Sequence, residues 1–292
     1  MPSTRDIRRR IRSVKNTAQI TKAMQMVAAS KMRRAQQAAI AGRPYATLMN
    51  EVLAEVVHYA GDFTHPLTEK REGGKRCVII ISSDKGLCGG LNSNLMREAV
   101  KFDKASTVFI TAGRKGSQFI ARTKRQLAAE FTYKDTPLFG EARAISKFAR
   151  DMFVKREVDR VDILFTNFIS TLVQKAQVTQ LLPVGDIKGV VAHLHGEEQT
   201  EALMKGSTEF LFEPSAEGVL GGLLPHYVNF QVYQILLEAK ASEHSARMVA
   251  MKNATDNAKQ IIKDLTLEYN KLRQANITKE LLEITSAAMA LG

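Results

Sequence analysis

Apolar residues recur three and four positions apart over two long stretches, one at each end of the chain. Between these stretches they gather into short β-branched runs. The C-terminal stretch, Pro225 to Gly292, contains no proline after Pro225 and no glycine before the last residue. Ala258, Ile262, Leu265, Tyr269, Leu272, Leu281, Ile284 and Ala288 mark its apolar face, which predicts an α-helix. Gln231 to Met289 is dominated by Ala, Leu, Lys, Glu, Gln, Met and Arg, all strong helix formers. At 1.5 Å per residue such a helix is on the order of 90 Å long. It outruns any single domain and reads as a strut.

At the N-terminus, Ser3 or Thr4 can cap a helix, with Asp6 in its first turn where negative charge suits the dipole. The apolar positions that follow include Ile7, Ile11, Val14, Ala18, Met24, Val27, Ala28, Met32, Ala35 and Ala39. Neither glycine nor proline interrupts before Gly42 and Pro44, which mark a kink. Tyr45 to Tyr59 then resumes helical spacing through Leu48, Val52, Leu53 and Val56. Two long amphipathic helices at opposite ends of one chain predict an antiparallel coiled coil. Neither has clean leucine heptads, and the C-terminal helix is the one expected to run beyond its partner and need another protein to cover it.

Gly61 to Arg76 reads as a linker, with Pro66, Gly73 and Gly74. The runs Cys77–Ser83, Thr107–Gly113 and Val161–Phe168 have the β-branched texture of buried strands. A weaker strand falls near Leu127–Tyr133 and another over Val173–Leu182. Helices are expected from about Asn92, around Lys115–Lys124 and over Glu141–Val158. This alternation predicts a small α/β, Rossmann-like domain with a mainly parallel sheet, inserted between the two long helices. The boundaries are residues 1–60 for the first coiled-coil helix, 75–206 for the inserted domain and 214–292 for the second helix. Asp186–Pro214 reads as polar connection or sheet edge.

Charge sharpens this picture. The 292-residue chain carries a net charge of +12. Up to Asn50, Arg5, Arg8, Arg9, Arg10, Arg12, Lys15, Lys22, Lys31, Arg33, Arg34 and Arg43 stand against the acid Asp6. A basic, acid-poor amphipathic start is also the texture of a transit peptide, but the helical pattern runs on to about His58, too far for a cleavable leader. The charge points to an anionic partner: acidic protein, nucleic acid or membrane surface. No run approaches the apolar length of a membrane span. Cys77 and Cys88 are too few for a disulfide framework and suit a reducing compartment.

Candidate chemistry is sparse. Ser82-Ser-Asp-Lys-Gly-Leu-Cys-Gly-Gly-Leu-Asn92 is a glycine-rich loop between a strand and a helix, the place where phosphates are cradled. Its spacing matches neither GxxxxGK[ST] nor GxGxxG. A tight turn or partner-contact loop built on Asp84, Lys85, Gly86, Gly89 and Gly90 is the stronger reading, with nucleotide binding its rival. Thr111–Gly116 is a second such turn. The six histidines are dispersed, and the close pair His193/His195 lacks an acidic or thiolate third ligand. No pattern for nucleophilic catalysis or zinc is present, so no cofactor, metal or catalytic residue is assigned. The basic N-terminal arm leaves a nucleic-acid-associated coiled-coil protein as the alternative, without interleaved aromatics or a reading motif to favour it.

Four stretches in order resemble the γ subunit of the rotary F-type ATP synthase, of the bacterial kind. They are Arg12–Thr17 with Lys22–Met32 (KAMQMVAASKM), Ser82–Asn92 (SSDKGLCGGLN), Ser242–Asn257 (SEHSARMVAMKNATDN) and Tyr269–Glu283 (YNKLRQANITKELLE). The last carries the family's C-terminal signature at Ile277, Thr278, Glu280 and Glu283, with Ala287 where the family usually has glycine. No cysteine-bearing insertion appears, so thiol regulation of the chloroplast kind is not implied. The resemblance implies a non-catalytic rotor shaft that transmits torque from proton flow through the membrane ring to ATP synthesis on other subunits. The implied partners are three α and three β subunits, the ε subunit and the c ring, with no nucleic acid and no membrane contact except through partners. The implied location is peripheral, on the cytoplasmic face of a bacterial membrane. By the same resemblance Arg273, Gln274 and Thr278 engage a loop of β. Lys22, Met24 and Lys31 lie near β's acidic loop, and Arg247 is linked to coupling.

Overall fold

The computed structural model describes residues 3–59, 65–71, 73–184, 213 and 215–291. They fall into two compact units, one of residues 1–29 with 247–292 and the other of residues 30–246.

The first unit is a helix pair. It takes the start of α1 (Thr4–Ala41) and the end of α6 (Ala216–Leu291). α1 opens on a reciprocal cap. The Asp6 amide donates to the Ser3 hydroxyl oxygen at 3.2 Å, and the Asp6 carboxylate accepts from the Ser3 amide at 3.3 Å and its hydroxyl at 2.7 Å. These bonds to Ser3 hold the Asp6 carboxyl below its usual range. Two cross-helix contacts fix the register. The Arg8 guanidinium donates to the Tyr269 hydroxyl, and the Thr21 and Thr255 hydroxyls lie 2.7 Å apart. The pair is therefore antiparallel.

Its seam positions alternate at spacings of four and three. On α1 they are Ile7, Ile11, Val14, Ala18, Thr21, Gln25 and Ala28; on α6 they are Met251, Thr255, Ala258, Ile262, Leu265, Tyr269 and Leu272. This is a heptad seam, built on small and mixed residues rather than leucine. Val27, placed in the stripe from sequence, lies one step off it and is exposed, while Gln25 occupies the seam.

The second unit is a sheet with helices on both faces. Its strands are β1 (Arg76–Ile81), β2 (Thr107–Ala112), β3 (Gln126–Phe131), β4 (Arg160–Phe168) and β5 (Gln174–Leu182). Their order is β3-β2-β1-β4-β5, parallel except for β5, which runs antiparallel to β4. Side chains alternate along each strand. On one face Val78, Ile80, Phe109 and Leu164 pack with Leu95, Met96 and Ala99 of α3 (Leu91–Val100) and Ile120 of α4 (Arg114–Arg122). On the other, Cys77, Ile79, Ile81, Ile110 and Ile163 pack with α2 (Arg43–Tyr59), α5 (Phe139–Val154) and the first part of α6.

The break between α1 and α2 falls where Gly42 and Pro44 predict it. α6 differs from expectation at its start. Pro214 and Gly221-Gly222 read as a lead-in, yet the helix begins at Ala216 and contains Pro225. Proline removes one helical hydrogen bond. Leu220, Leu224, Tyr227 and Val228 around it are buried in the larger core cluster, and that packing outweighs the local loss. Both thiols are buried, Cys88 as well as Cys77, although Cys88 lies in a loop. The expected connection over residues 186–212 and the histidines His193 and His195 lie outside the described residues.

Candidate partner-binding surfaces

In doubly wound sheets ligands bind outside the carboxyl ends of the strands, where the strand order reverses. The loop of Ser82–Asn92 leaves β1 at that edge, so its geometry bears directly on the nucleotide reading. An empty helix N-terminus offers amide donors to a phosphate. At the N-terminus of the neighbouring α4 the loop takes them. The Gly116 amide donates to the Ser82 hydroxyl oxygen at 2.8 Å, the Lys115 amide to the Ser83 carbonyl at 3.0 Å, and the Arg114 amide to the Asp84 carboxylate at 3.0 Å.

The loop is also tied to itself. Asn92 Nδ2 donates to Ser83 Oγ at 2.7 Å and to Cys88 Sγ at 3.2 Å, and Ser83 Oγ donates to the Lys85 carbonyl at 2.8 Å. Gly89 has a φ of 60° and Leu87 one of 63°, so the backbone turns back sharply here. Leu87 nevertheless points outward and is exposed. No side chain would be obstructed at Gly86, and at Gly90 the nearest atom to an added Cβ is Asn94 Nδ2 at 3.8 Å. Asp84 thus acts as a cap for α4, and Lys85 and Gly86 ride on the outside of a self-bonded turn.

Along the helix pair the residues carried over by resemblance sit at two stations. Lys22 is exposed, its ammonium reaching Gln25 Oε1 at 3.4 Å, and Met24 is half-buried beside the seam. By the register these lie opposite α6 residues near 252–254. Arg273, Gln274 and Thr278 lie about 20 residues further along α6, roughly 30 Å away. All three are exposed, and the Thr278 hydroxyl donates back to the Gln274 carbonyl at 3.0 Å. Because α1 begins at Thr4, level with Leu272, the rest of α6 has no helical partner among the described residues of this unit. Every residue from Arg273 to Met289 is exposed, Ile284 at 65% and Met289 at 85%. Arg247 is half-buried where α6 enters the helix pair.

Lys31 belongs to the other unit, and its ammonium is engaged by Asp135 in the loop between β3 and α5. Asp135 is the centre of a charged cluster that sequence reading missed. Lys240, with a side chain only 2% exposed, places its ammonium 3.0 Å from Glu243 and 3.9 Å from Asp135. That ammonium also lies 4.4 Å from the centre of the Tyr133 ring, a cation–π contact. His244 Nε2 is 3.9 Å from the same Asp135 carboxylate. The hydrogen bond from Lys31 holds the Asp135 carboxyl below its usual range, against partial burial, with Lys240 and His244 assisting. Burial pushes the Tyr133 phenol well up, reinforced by Glu243, Asp84 and Asp135; its hydroxyl donates to the Ser82 carbonyl at 3.1 Å. The available signal was the run Lys240–Ser245, which places charged and polar residues on a helix face that the fold buries.

Comparison with known proteins supplies the family. A family model described as ATP synthase matches residues 3–291. The ATP synthase gamma chain of Methylacidiphilum infernorum is 46% identical over 297 residues, covering all of both chains. That of Opitutus terrae is 49% identical over 292 residues, covering 99% of each. Among solved structures, the central stalk and c-ring of Tetrahymena thermophila mitochondrial ATP synthase gives a TM-score of 0.60 at 26% identity, covering 80% of this chain and 99% of that one. A chain of the Euglena gracilis mitochondrial enzyme, in rotational state 3, gives a TM-score of 0.70 over 99% of this chain and 94% of its own; at 19% identity this speaks for the fold. Matched from end to end by relatives near one-half identity, the chain belongs to the ATP synthase gamma-chain family.

Proposed function

We infer that this chain is the central rotor shaft of a proton-translocating ATP synthase, carrying torque from a membrane ring to catalytic subunits and performing no chemistry itself. The observation that carries the reading is the bare end of α6. Seventeen consecutive helical residues, Arg273 to Met289, are exposed and include Ile277, Leu281, Leu282, Ile284 and Met289. Most of the stability of a helix in a protein comes from packing its apolar face, and this segment packs on nothing among the described residues. A partner's socket lined by apolar side chains would supply that packing. Small residues at the end, Ala287, Ala288 and Ala290, suit a tip that turns in its socket without a specific grip.

On this reading residues 1–60 and 214–292 are the two arms of the coiled coil and 75–206 the inserted domain. Arg273, Gln274 and Thr278 meet a loop of β; Lys22, Met24 and Lys31 face β's acidic loop, and Arg247 serves coupling. The partners are three α and three β subunits, the ε subunit and the c ring. Attachment on this reading is at the cytoplasmic face, through those partners. Among the described residues no helix is long and apolar enough to cross a membrane.

The native mass and composition of what copurifies with the chain from its host's membranes tests this. One copy with three each of two larger nucleotide-binding subunits is expected. Recovery of the chain bound to nucleic acid, with a steep dependence of affinity on salt, would overturn it.

A further inference from the structure

α3 and α4 run side by side on the sheet face away from α5, and an open cleft of about 440 Å³ separates their outer ridges. Its floor is apolar, made by Met96 and Val100 of α3 and Phe119 of α4; Val100 is half exposed and Phe119 half-buried. Arg97, Lys115 and Arg122 stand on its banks. No acid lines it. The carboxylate of Glu98, next to Arg97 in sequence, is turned to Lys101 at 2.8 Å. Among the described residues none of the three cations has an ion pair or a side-chain hydrogen bond.

Three like charges converging without a counter-ion repel one another, and an apolar floor between them is left in water. Both deficits are met by one occupant, with carboxylates on its flanks and an apolar ridge between. A small ligand is the weaker fit, because sites for small molecules enclose most of the ligand surface and this cleft is open. A groove between two helices of 10 and 9 residues instead matches the helix-in-groove mode of recognition, in which apolar anchors enter at i, i+3/i+4 spacing. Methionine in the floor adapts to such anchors.

We propose that the cleft between α3 and α4 docks an acidic amphipathic helix of another subunit of the complex. The identity of the partner as a subunit rests on the rotor-shaft reading; the chemistry of the cleft does not. Two experiments separate them. In the first, the isolated full chain is titrated with a synthetic 14-residue helical peptide of Leu, Ala and Glu, its leucines on one face and glutamates on both flanks. Micromolar binding is expected, reduced at least tenfold in Arg97→Glu/Arg122→Glu. It should be unchanged in Arg143→Glu/Lys147→Glu, a control of equal net charge made on α5. Equal loss in both variants, or equal binding of a lysine-for-glutamate peptide, overturns the proposal.

In the second, a photo-crosslinking residue replaces Gln118, which lines the cleft, in the purified complex. The expected adduct maps to a helical segment with acidic residues at i, i+3/i+4 spacing, and falls at least tenfold with the Arg97/Arg122 reversal. An adduct on lipid, on a non-acidic segment, or none at all overturns the proposal. If no complex assembles, the shaft reading fails and the peptide titration still decides the cleft.

Discussion

The hydroxyls of Thr21 and Thr255 face each other at 2.7 Å across the helix pair, both buried among apolar seam positions. Each has one proton to donate. Thr255 has the Met251 carbonyl at 2.8 Å and Thr21 the Ala18 carbonyl at 3.1 Å, so the hydroxyl that keeps its own-helix bond accepts the proton of the other across the pair. The cross-helix bond forms only in this register, since sliding one helix by a heptad would set each hydroxyl against an apolar layer. The bond therefore specifies alignment more than it adds stability, as single polar seam residues do in coiled coils.

Thr255→Val should cost about 1 kcal/mol, the usual net worth of a hydrogen bond. The double variant Thr21→Val/Thr255→Val should regain part of that, because no buried hydroxyl is left facing an apolar side chain in place of its cross-helix partner. Chemical denaturation of the two single variants and the double variant measures the coupling. Additive losses would show that the two hydroxyls do not interact.

The glycines divide sharply. Gly113 has a φ of 104°, and a Cβ there would lie 2.1 Å from the Ser82 carbonyl oxygen. Gly113→Ala should therefore cost more than about 3 kcal/mol, combining positive-φ strain with a backbone clash. Gly86→Ala should stay within about 0.5 kcal/mol, as an open surface substitution does; a Cβ there meets nothing within 4 Å. Thermal unfolding of the two variants is the measurement. A destabilised Gly86→Ala would mean that the loop needs a conformation other than the one described.

Much of this architecture was legible from the residues, for a physical reason. β1, β2 and β4 are runs of Val, Ile and Phe buried on both faces, and long Ala- and Lys-rich stretches without Gly or Pro have one local solution. The seam was harder. Its layers use Ala18, Thr21, Gln25 and Thr255, which carry little hydrophobic signal, so Met24 and Val27 drew attention away from Gln25. The charged cluster was hidden because Asp135 and Lys240 are 105 residues apart, and nothing in either local sequence announces the other. The glycines of Ser82–Asn92 announce a turn. That its Asp84 caps α4 needed the sheet, which brings the ends of β1 and β2 together.

The cluster around Asp135 should make stability depend on acid. The folded Asp135 carboxyl lies below the ordinary range it has in the unfolded chain, so its contribution is fully present above that range and is lost as pH falls through the depressed value. Urea midpoints measured from pH 5 to pH 3 should fall less steeply for Asp135→Asn than for the parent chain. At pH 7 Asp135→Asn should cost only about 1 kcal/mol, since its side chain is 52% exposed and screened. Glu243→Gln should cost more, about 3 kcal/mol, because it leaves the buried Lys240 ammonium without its nearest carboxylate. The reverse order of the two variants would make Asp135 the principal counter-ion.

The exposed end of α6 makes the functional prediction. Arg273 and Gln274 hold no position in the seam and make no side-chain contact that would stabilise the described fold, so removing either should leave the chain's own unfolding unchanged. If they grip a partner loop, the loss appears only in the assembled enzyme. A hydrogen bond to a charged group contributes about 1.5–3 kcal/mol, so Arg273→Ala should lower coupled ATP synthesis by roughly tenfold or more. Nucleotide affinity on the catalytic subunits should not move, because the shaft supplies torque and not contacts to the nucleotide. Gln274→Ala should act in the same direction and more weakly, having no charge to lose. Synthesis driven by an imposed proton gradient, measured beside equilibrium nucleotide binding on the same preparation, separates the two effects. Unchanged synthesis in both variants would remove these residues from the coupling surface. Reduced nucleotide binding would mean that they act on the catalytic site rather than on the transmission of rotation.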